Sequence, residues 1–159
     1  MDSVFEPAVT SPDSDPEDAL AFAFKKSQLL IRLHTEQATV PTLGELADYP
    51  RSDQHYLGRC AEYGSCYALE IANDAPAPNG LSFHALRDVA EKLGPTLFSI
   101  GGRAVQTVAW GQTHRYCGRC GAHNQHADGE RAQVCPECGL TCFPRLSPAI
   151  IVRIERGDQ

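Results

Sequence analysis

The stretch from Trp110 to Cys142, WGQTHRYCGRCGAHNQHADGERAQVCPECGLTC, holds two C-x-x-C pairs, Cys117 with Cys120 and Cys135 with Cys138. Each pair is followed directly by a glycine, Gly121 or Gly139. Such a pair sets two sulfurs at the ends of one tight turn, and the glycine allows the positive φ that curls the backbone beneath an ion. The fourteen residues from Gly121 to Val134 are enough for a short hairpin that brings both turns to one point. Four sulfur donors in a tetrahedron favour zinc at about 2.3 Å per bond and leave no position for water, which is the pattern of a structural site. Cys117, Cys120, Cys135 and Cys138 are therefore the expected ligands. Iron in a rubredoxin-like site would use the same donors, and redox pairs or buried thiols are the plainer alternative. Cys142 is expected to be a strand residue, His114, His123 and His126 to lie at the surface or beside the site without ligating, and Cys60 and Cys66 to pack in the core.

Upstream, QLLIRLH from Gln28 reads as a buried strand, while HYLGRC (His55 to Cys60) and CYALEIA (Cys66 to Ala72) flank a turn and read as a hairpin. Asn73 to Gly80 carries two prolines and must be a loop. Ser82 is placed to cap a helix over Phe83 to Leu93, ended by Gly94-Pro95. Pro95 suits the first turn of a second helix, on which Leu97, Ala104, Val105 and Val108 keep helical spacing and Gly101-Gly102 is a weak point. Downstream, AIIVRI (Ala149 to Ile154) reads as an apolar strand.

The chain has 159 residues with 14 Lys and Arg against 20 Asp and Glu, a net charge of −6. Six of the acids fall before Lys25 with no base among them, so the remainder is balanced. A neutral body behind an acidic leader lacks the field that gripping DNA requires. Between Thr113 and Arg145, four arginines (115, 119, 131, 145) face three acids (Asp128, Glu130, Glu137), and four thiolates on a divalent ion would add about two negative charges. The longest apolar run, Ala19 to Phe24, is far short of the roughly 20 residues that span a bilayer, and the acidic start is unlike a secretory signal. A soluble, cytoplasmic protein with no membrane partner is expected. Pro7, Pro12 and Pro16 among Ser and Asp suggest a flexible leader over residues 1–24.

From Trp110 to Asp158 the sequence resembles the zinc-ribbon and first-strand region of bacterial NADH pyrophosphatases, which are Nudix hydrolases. The resemblance rests on Trp110, the approach from His114, both cysteine turns with their spacing, and the exit Phe143-Pro144-Arg145…Ser147-Pro148 into AIIVRI. LRDVAEKLG (Leu86 to Gly94) and the glycine-containing hairpin extend it upstream. The fold it implies is α+β: a small Nudix-like mixed sheet with helices over 25–112, a four-cysteine zinc ribbon over 113–144, and over 145–159 only the first strand of a catalytic Nudix domain. In the family the complete enzyme hydrolyses the diphosphate of NAD(H), and bacterial members remove NAD caps from RNA. Magnesium or manganese would be held by carboxylates of the Nudix signature, G-x5-E-x7-R-E-U-x-E-E-x-G-U with U apolar.

No complete copy of that signature occurs in the chain. Arg87 to Gly94 echoes part of it, but Lys92 stands where a carboxylate is required, and a cation there repels magnesium. The plain reading is an amphipathic segment with Leu86, Val89, Ala90 and Leu93 packed on the sheet and Arg87, Glu91 and Lys92 in water. The resemblance also implies that Phe143, where the family more often has tyrosine, stacks on a nucleotide base, that Glu130 lies near substrate, and that the protein is a homodimer. The chain is thus expected to be a non-catalytic front of an NAD(H) diphosphatase. The alternative is a stand-alone zinc-ribbon module for protein or nucleic-acid binding or dimerisation.

Overall fold

The apolar run at Ala19 to Phe24 forms the middle of a sheet. The computed structural model describes residues 5–12, 16–145 and 149–157. Its first part is built from β1 (Phe5–Pro7), β2 (Leu20–Lys25), β3 (Gln28–Leu33), β4 (Ala38–Thr39), β5 (Arg51–Cys60), β6 (Gly64–Ile71) and β7 (Ser82–Ala85), followed by a helix, α1 (Ala90–Thr113). The sheet order is β1-β5-β6-β2-β3-β4, with β7 also paired to β3. Among the described residues only β2 and β6 run parallel, in register from Leu20 opposite Cys66 to Phe24 opposite Glu70, which makes the sheet mixed.

β2 lies between two apolar layers. Phe22 and Phe24 point to the layer shared with Leu29, Leu57, Leu97, Ile100 and Val108, beneath α1. Ala21 and Ala23 point the other way, to Leu30, Leu46, Tyr67 and Leu69. A strand covered on both faces shows no polar alternation, only large residues against small ones. The second layer is closed by the loop around a 3-10 turn, Gly44–Leu46, held by a reciprocal cap: the Thr42 N–H donates to Glu45 Oε2 at 2.9 Å and the Glu45 N–H to Thr42 Oγ1 at 3.3 Å.

These strands correct the expectation of a flexible leader over residues 1–24. Phe5–Pro7 pairs with Cys60, Arg59 and Gly58 of β5, and Leu20–Phe24 belongs to the core. The prolines and acids around them suit a connection more than a strand, but backbone pairing and burial of the short apolar pieces decide the outcome. Asp2, Asp13 and Asp15 lie outside the described residues.

The β5–β6 hairpin forms where the sequence places it, but β5 begins earlier, at Arg51, and is bulged at Arg51/Asp53 and Tyr56/Gly58. The helix expected over Phe83 to Leu93 is a second correction. Ser82–Ala85 pairs with Ile31 to Gln28 as β7, Leu86–Val89 is a 3-10 turn, and helix begins only at Ala90. The free edge of β3 offers Ser82 and Phe83 ladder bonds that a cap cannot match. Gly94, at φ 73°, breaks the helix, and Pro95 starts its longer second part. The weak point at Gly101 is a packing device: a Cβ there would lie 2.9 Å from Leu86 Cδ1. Val89 and Leu93 are buried while Arg87, Glu91 and Lys92 are exposed, and Lys92 Nζ donates to the Thr35 carbonyl at 3.0 Å.

Beyond α1 a small sheet follows, order β10-β9-β8, from β8 (Gln125–His126), β9 (Gln133–Val134) and β10 (Thr141–Cys142). The strand expected at Ala149 to Ile154 does not form: residues 149–157 have no regular structure, and Ile150, Ile151 and Ile154 are more than four-fifths exposed. A strand exists only as a member of a ladder, and no neighbouring edge meets this segment. Residues 146–148 and 158–159 of that stretch lie outside the described residues. No helix among the described residues is long and apolar enough to cross a membrane.

Gly58 tests the bulge. Its φ is +132°, and a Cβ would stand 2.1 Å from the Glu6 carbonyl oxygen and 2.9 Å from the Ala8 nitrogen, both backbone atoms. Gly58→Ala is expected to lose at least about 2 kcal/mol in urea unfolding, with β1 released from the edge in hydrogen exchange.

Candidate metal centre

The ribbon has too few apolar residues to fix its own turns, so backbone hydrogen bonds shape them. The N–H of Cys117 donates to the Ala122 carbonyl at 2.8 Å and the N–H of Gly121 to the Cys117 carbonyl at 2.9 Å. The second turn repeats this pattern: Cys135 N–H to the Leu140 carbonyl at 2.9 Å, Gly139 N–H to the Cys135 carbonyl at 3.0 Å. Gly121 (φ 79°) and Gly139 (φ 70°) take the left-handed conformation that closes each turn.

The two turns bring four sulfurs together. Cys117 Sγ stands 3.5 Å from Cys138 Sγ, Cys120 Sγ stands 3.4 Å from Cys135 Sγ, and all four lie within 4.8 Å of one another. In a tetrahedron with bonds of about 2.3 Å the sulfurs are about 3.8 Å apart, so this donor set fits one zinc ion after a slight expansion. The backbone N–H groups of Cys120 and Arg119 lower the Cys117 thiol, while the crowding of the other sulfurs raises that of Cys120, so the four share their protons until a metal takes them. Cys142 stands outside the cluster, half-buried in β10.

The ribbon is docked on the sheet by polar contacts. Arg115, just past α1, reaches both oxygens of Glu70 on β6, and Gln112 Nε2 donates to the same carboxylate at 3.1 Å. Arg131 donates to the Tyr56 carbonyl at 2.7 Å and the Ala8 carbonyl at 2.9 Å, and its burial lowers the guanidinium pKa, with Arg103 nearby acting the same way. Asn124, buried, donates its amide to the His114 carbonyl at 2.9 Å. His114 Nδ1 lies 3.0 Å from the Trp110 carbonyl, and His123 Nδ1 lies 2.8 Å from the Asn124 carbonyl.

Asp53, His55 and His126 also meet at this junction. Neither Asp53 nor His55 belongs to a chemical motif of the sequence; their one signal is an i, i+2 spacing, which sets both on one face of β5. Burial works to raise the Asp53 carboxyl, but the imidazoles of His55 and His126 and the Gln54 N–H outweigh it and hold it below its ordinary value. Glu130 lines a cleft with His55, Tyr56, Trp110, His126 and Arg131, and Phe143 is not part of that lining. Phe143 is 55% exposed. Arg145 lines a separate cleft with Gln106, Trp110 and His114.

A helix-backed mixed sheet leading into a four-cysteine ribbon defines a Nudix-like domain with an appended zinc-ribbon domain. Comparison with known proteins is specific on both parts: residues 18–110 match the NADH pyrophosphatase-like rudimentary NUDIX domain and residues 112–143 the NADH pyrophosphatase zinc ribbon domain. The chain belongs to the NADH pyrophosphatase-like rudimentary NUDIX domain family. It is 37% identical over 140 residues to the NAD-capped RNA hydrolase NudC of Deinococcus radiodurans, covering 88% of this chain and 47% of the relative. It is 40% identical over 93 residues to that of Stutzerimonas stutzeri, covering 58% and 33%, and 38% identical over 112 residues to that of Pseudomonas fluorescens, covering 70% and 40%. The chain thus spans between a third and half of the length of these relatives.

Two outcomes follow from the geometry. Cys120→Ala is expected to release zinc measured by atomic emission, while Cys142→Ala retains about one ion per chain. Arg115→Ala leaves the largely buried Glu70 carboxylate without its main partner and should cost about 2–3 kcal/mol in thermal or urea unfolding, whereas Arg153→Ala, on an exposed pair with Glu155, should change nothing measurable.

Proposed function

We propose that this chain is the Nudix-like and zinc-binding part of an NAD(H) diphosphatase, in which Cys117, Cys120, Cys135 and Cys138 hold one structural zinc ion. The observation that carries the reading is the succession of the two matched domains, with four sulfurs converging in the second. The reaction of the complete enzyme is cleavage of the diphosphate of NAD(H), or of an NAD cap on RNA, to NMN(H) and an AMP-side product. NAD-capped RNA enters through the relatives, which carry that activity in their names. Magnesium or manganese would act on the phosphates from carboxylates these residues do not include, since the partial signature has Lys92 at a ligand position and Arg87, Glu91 and Lys92 in solvent. The role of this chain is accordingly scaffold and pocket wall, in a cytoplasmic homodimer that has neither DNA nor a membrane as partner.

Phe143 supports the wall. An exposed aromatic ring at the exit of the ribbon is free to stack on a base, and Glu130, exposed on the ribbon hairpin, is the acidic residue the family resemblance sets near substrate. The polypeptide by itself is expected to give no metal-dependent conversion of NADH to AMP, with Glu91→Gln indistinguishable from the parent. A magnesium-dependent rate that disappears in Glu91→Gln would overturn this. In NADH titrations followed by nicotinamide fluorescence, Phe143→Ala should weaken binding about threefold or more, the worth of one stacking contact, and unchanged binding would remove Phe143 from the pocket.

A further inference from the structure

The ribbon carries one donor, His126 on β8, that leaves its own metal cluster and faces the sheet. Its Nε2 stands 3.3 Å from Asp53 Oδ1, and the other carboxylate oxygen, Oδ2, stands 3.3 Å from His55 Nε2. The three donor atoms lie within 4.8 Å of one another, and the imidazole rings meet edge to face at 5.2 Å. His55 is more than nine-tenths buried, and its Nε2 has no hydrogen-bond partner despite facing the carboxylate. A buried ring nitrogen left in this state costs free energy unless something accepts its lone pair.

We propose that Asp53, His55 and His126 form a second metal site, for a divalent cation of the zinc, cobalt or nickel class, that joins the sheet to the ribbon. Charge-assisted hydrogen bonds between imidazole and carboxylate run at about 2.7–2.9 Å. Both contacts here are longer and engage different oxygens of Asp53, so neither ring is held by such a bond; with the three donors within 4.8 Å, a turn of the carboxylate would bring one oxygen to about 3.3–3.4 Å from both nitrogens, the edge of a tetrahedron with bonds of about 2.0–2.1 Å. Two imidazoles and one carboxylate suit this class of ion more than magnesium or calcium, which take oxygen. Three protein donors leave a fourth position open to the cleft between Ser52, Arg115 and Gln133.

Two further features fit an ion. Gly111 of α1 lies over the cluster, where a Cβ would stand 3.1 Å from His55 Nε2 and 3.4 Å from Asp53 Oδ2, so a glycine at this turn of the helix keeps space beside the donors. Gln133, buried on β9, has its carboxamide nitrogen Nε2 3.3 Å from His126 Nδ1. Metal binding would call for the flipped carboxamide, its oxygen toward that nitrogen, which keeps the proton on Nδ1 and leaves the Nε2 lone pair for the ion. Ligation would clamp β5, through two bonds, to β8, through one.

The test is a cobalt titration of the tag-free chain with its ribbon already loaded with zinc, followed by calorimetry and visible absorption. About one further equivalent of cobalt should bind, with d–d bands and no sulfur-to-cobalt charge transfer. His126→Ala, at a half-exposed position, should weaken that binding at least tenfold, and Gly111→Ala should do the same without removing a donor. His34→Ala, an exposed histidine in the β3–β4 connection outside both the cluster and the cleft, should leave it unchanged. Circular dichroism reports whether each variant is folded, and Asp53→Asn replaces any that is not. Absence of cobalt binding up to about millimolar concentration, equal affinity in the parent, His126→Ala and Asp53→Asn, or sulfur charge transfer from the added ion would overturn the proposal.

Discussion

The carboxylate of Glu70 lies near the end of β6, largely buried, and a buried charge must be answered by another charge and by hydrogen bonds. Arg115 and Gln112 answer it, and both belong to the point where α1 gives way to the ribbon. This arrangement fixes where the helix stops and therefore where the first cysteine turn begins. The contacts of Arg131, Asn124 and His126 are made because that starting point is held. A ribbon of this composition has no core with which to choose its own orientation; the sheet chooses it.

What can be read from the sequence divides according to how local the cause is. The cysteine turns and their glycines, the β5–β6 hairpin, the strand at Gln28 and the restart of the helix at Pro95 are each set by neighbours in the chain, and all are recognisable there. β2 is not, because burial on both faces removes alternation and the acids around it imitate a tail. β7 is not, because Ser82 carries a cap signal and only the free edge of β3, fifty residues away, outweighs it. The Asp53–His55–His126 cluster is the extreme case. Asp53 and His55 share one strand, but His126 comes from another sheet about seventy residues on, and no spacing rule joins it to them.

The same division holds for chemistry. Ligand sets encoded by a turn, such as the four cysteines, announce themselves. Those assembled by docking do not. Trp110 shows how the docking surface is shared: its ring packs near both His55 and His114, so one aromatic touches the sheet side and the ribbon side together. A substitution there would disturb both at once.

The break at Gly94 divides α1 into two rods with independent axes. The short first rod continues the 3-10 turn that leaves β7; the long second one leads into the ribbon. A residue inserted or deleted before the break would shift the phase of the first rod alone, because the left-handed glycine and the proline after it reset the winding. The segment before Gly94 can therefore change length without turning the ribbon, although Leu86, Val89 and Leu93 remain tied to the core they fill. A helix of one continuous winding would have denied it that latitude, since each added residue would have swung Cys117 by about 100° around the axis.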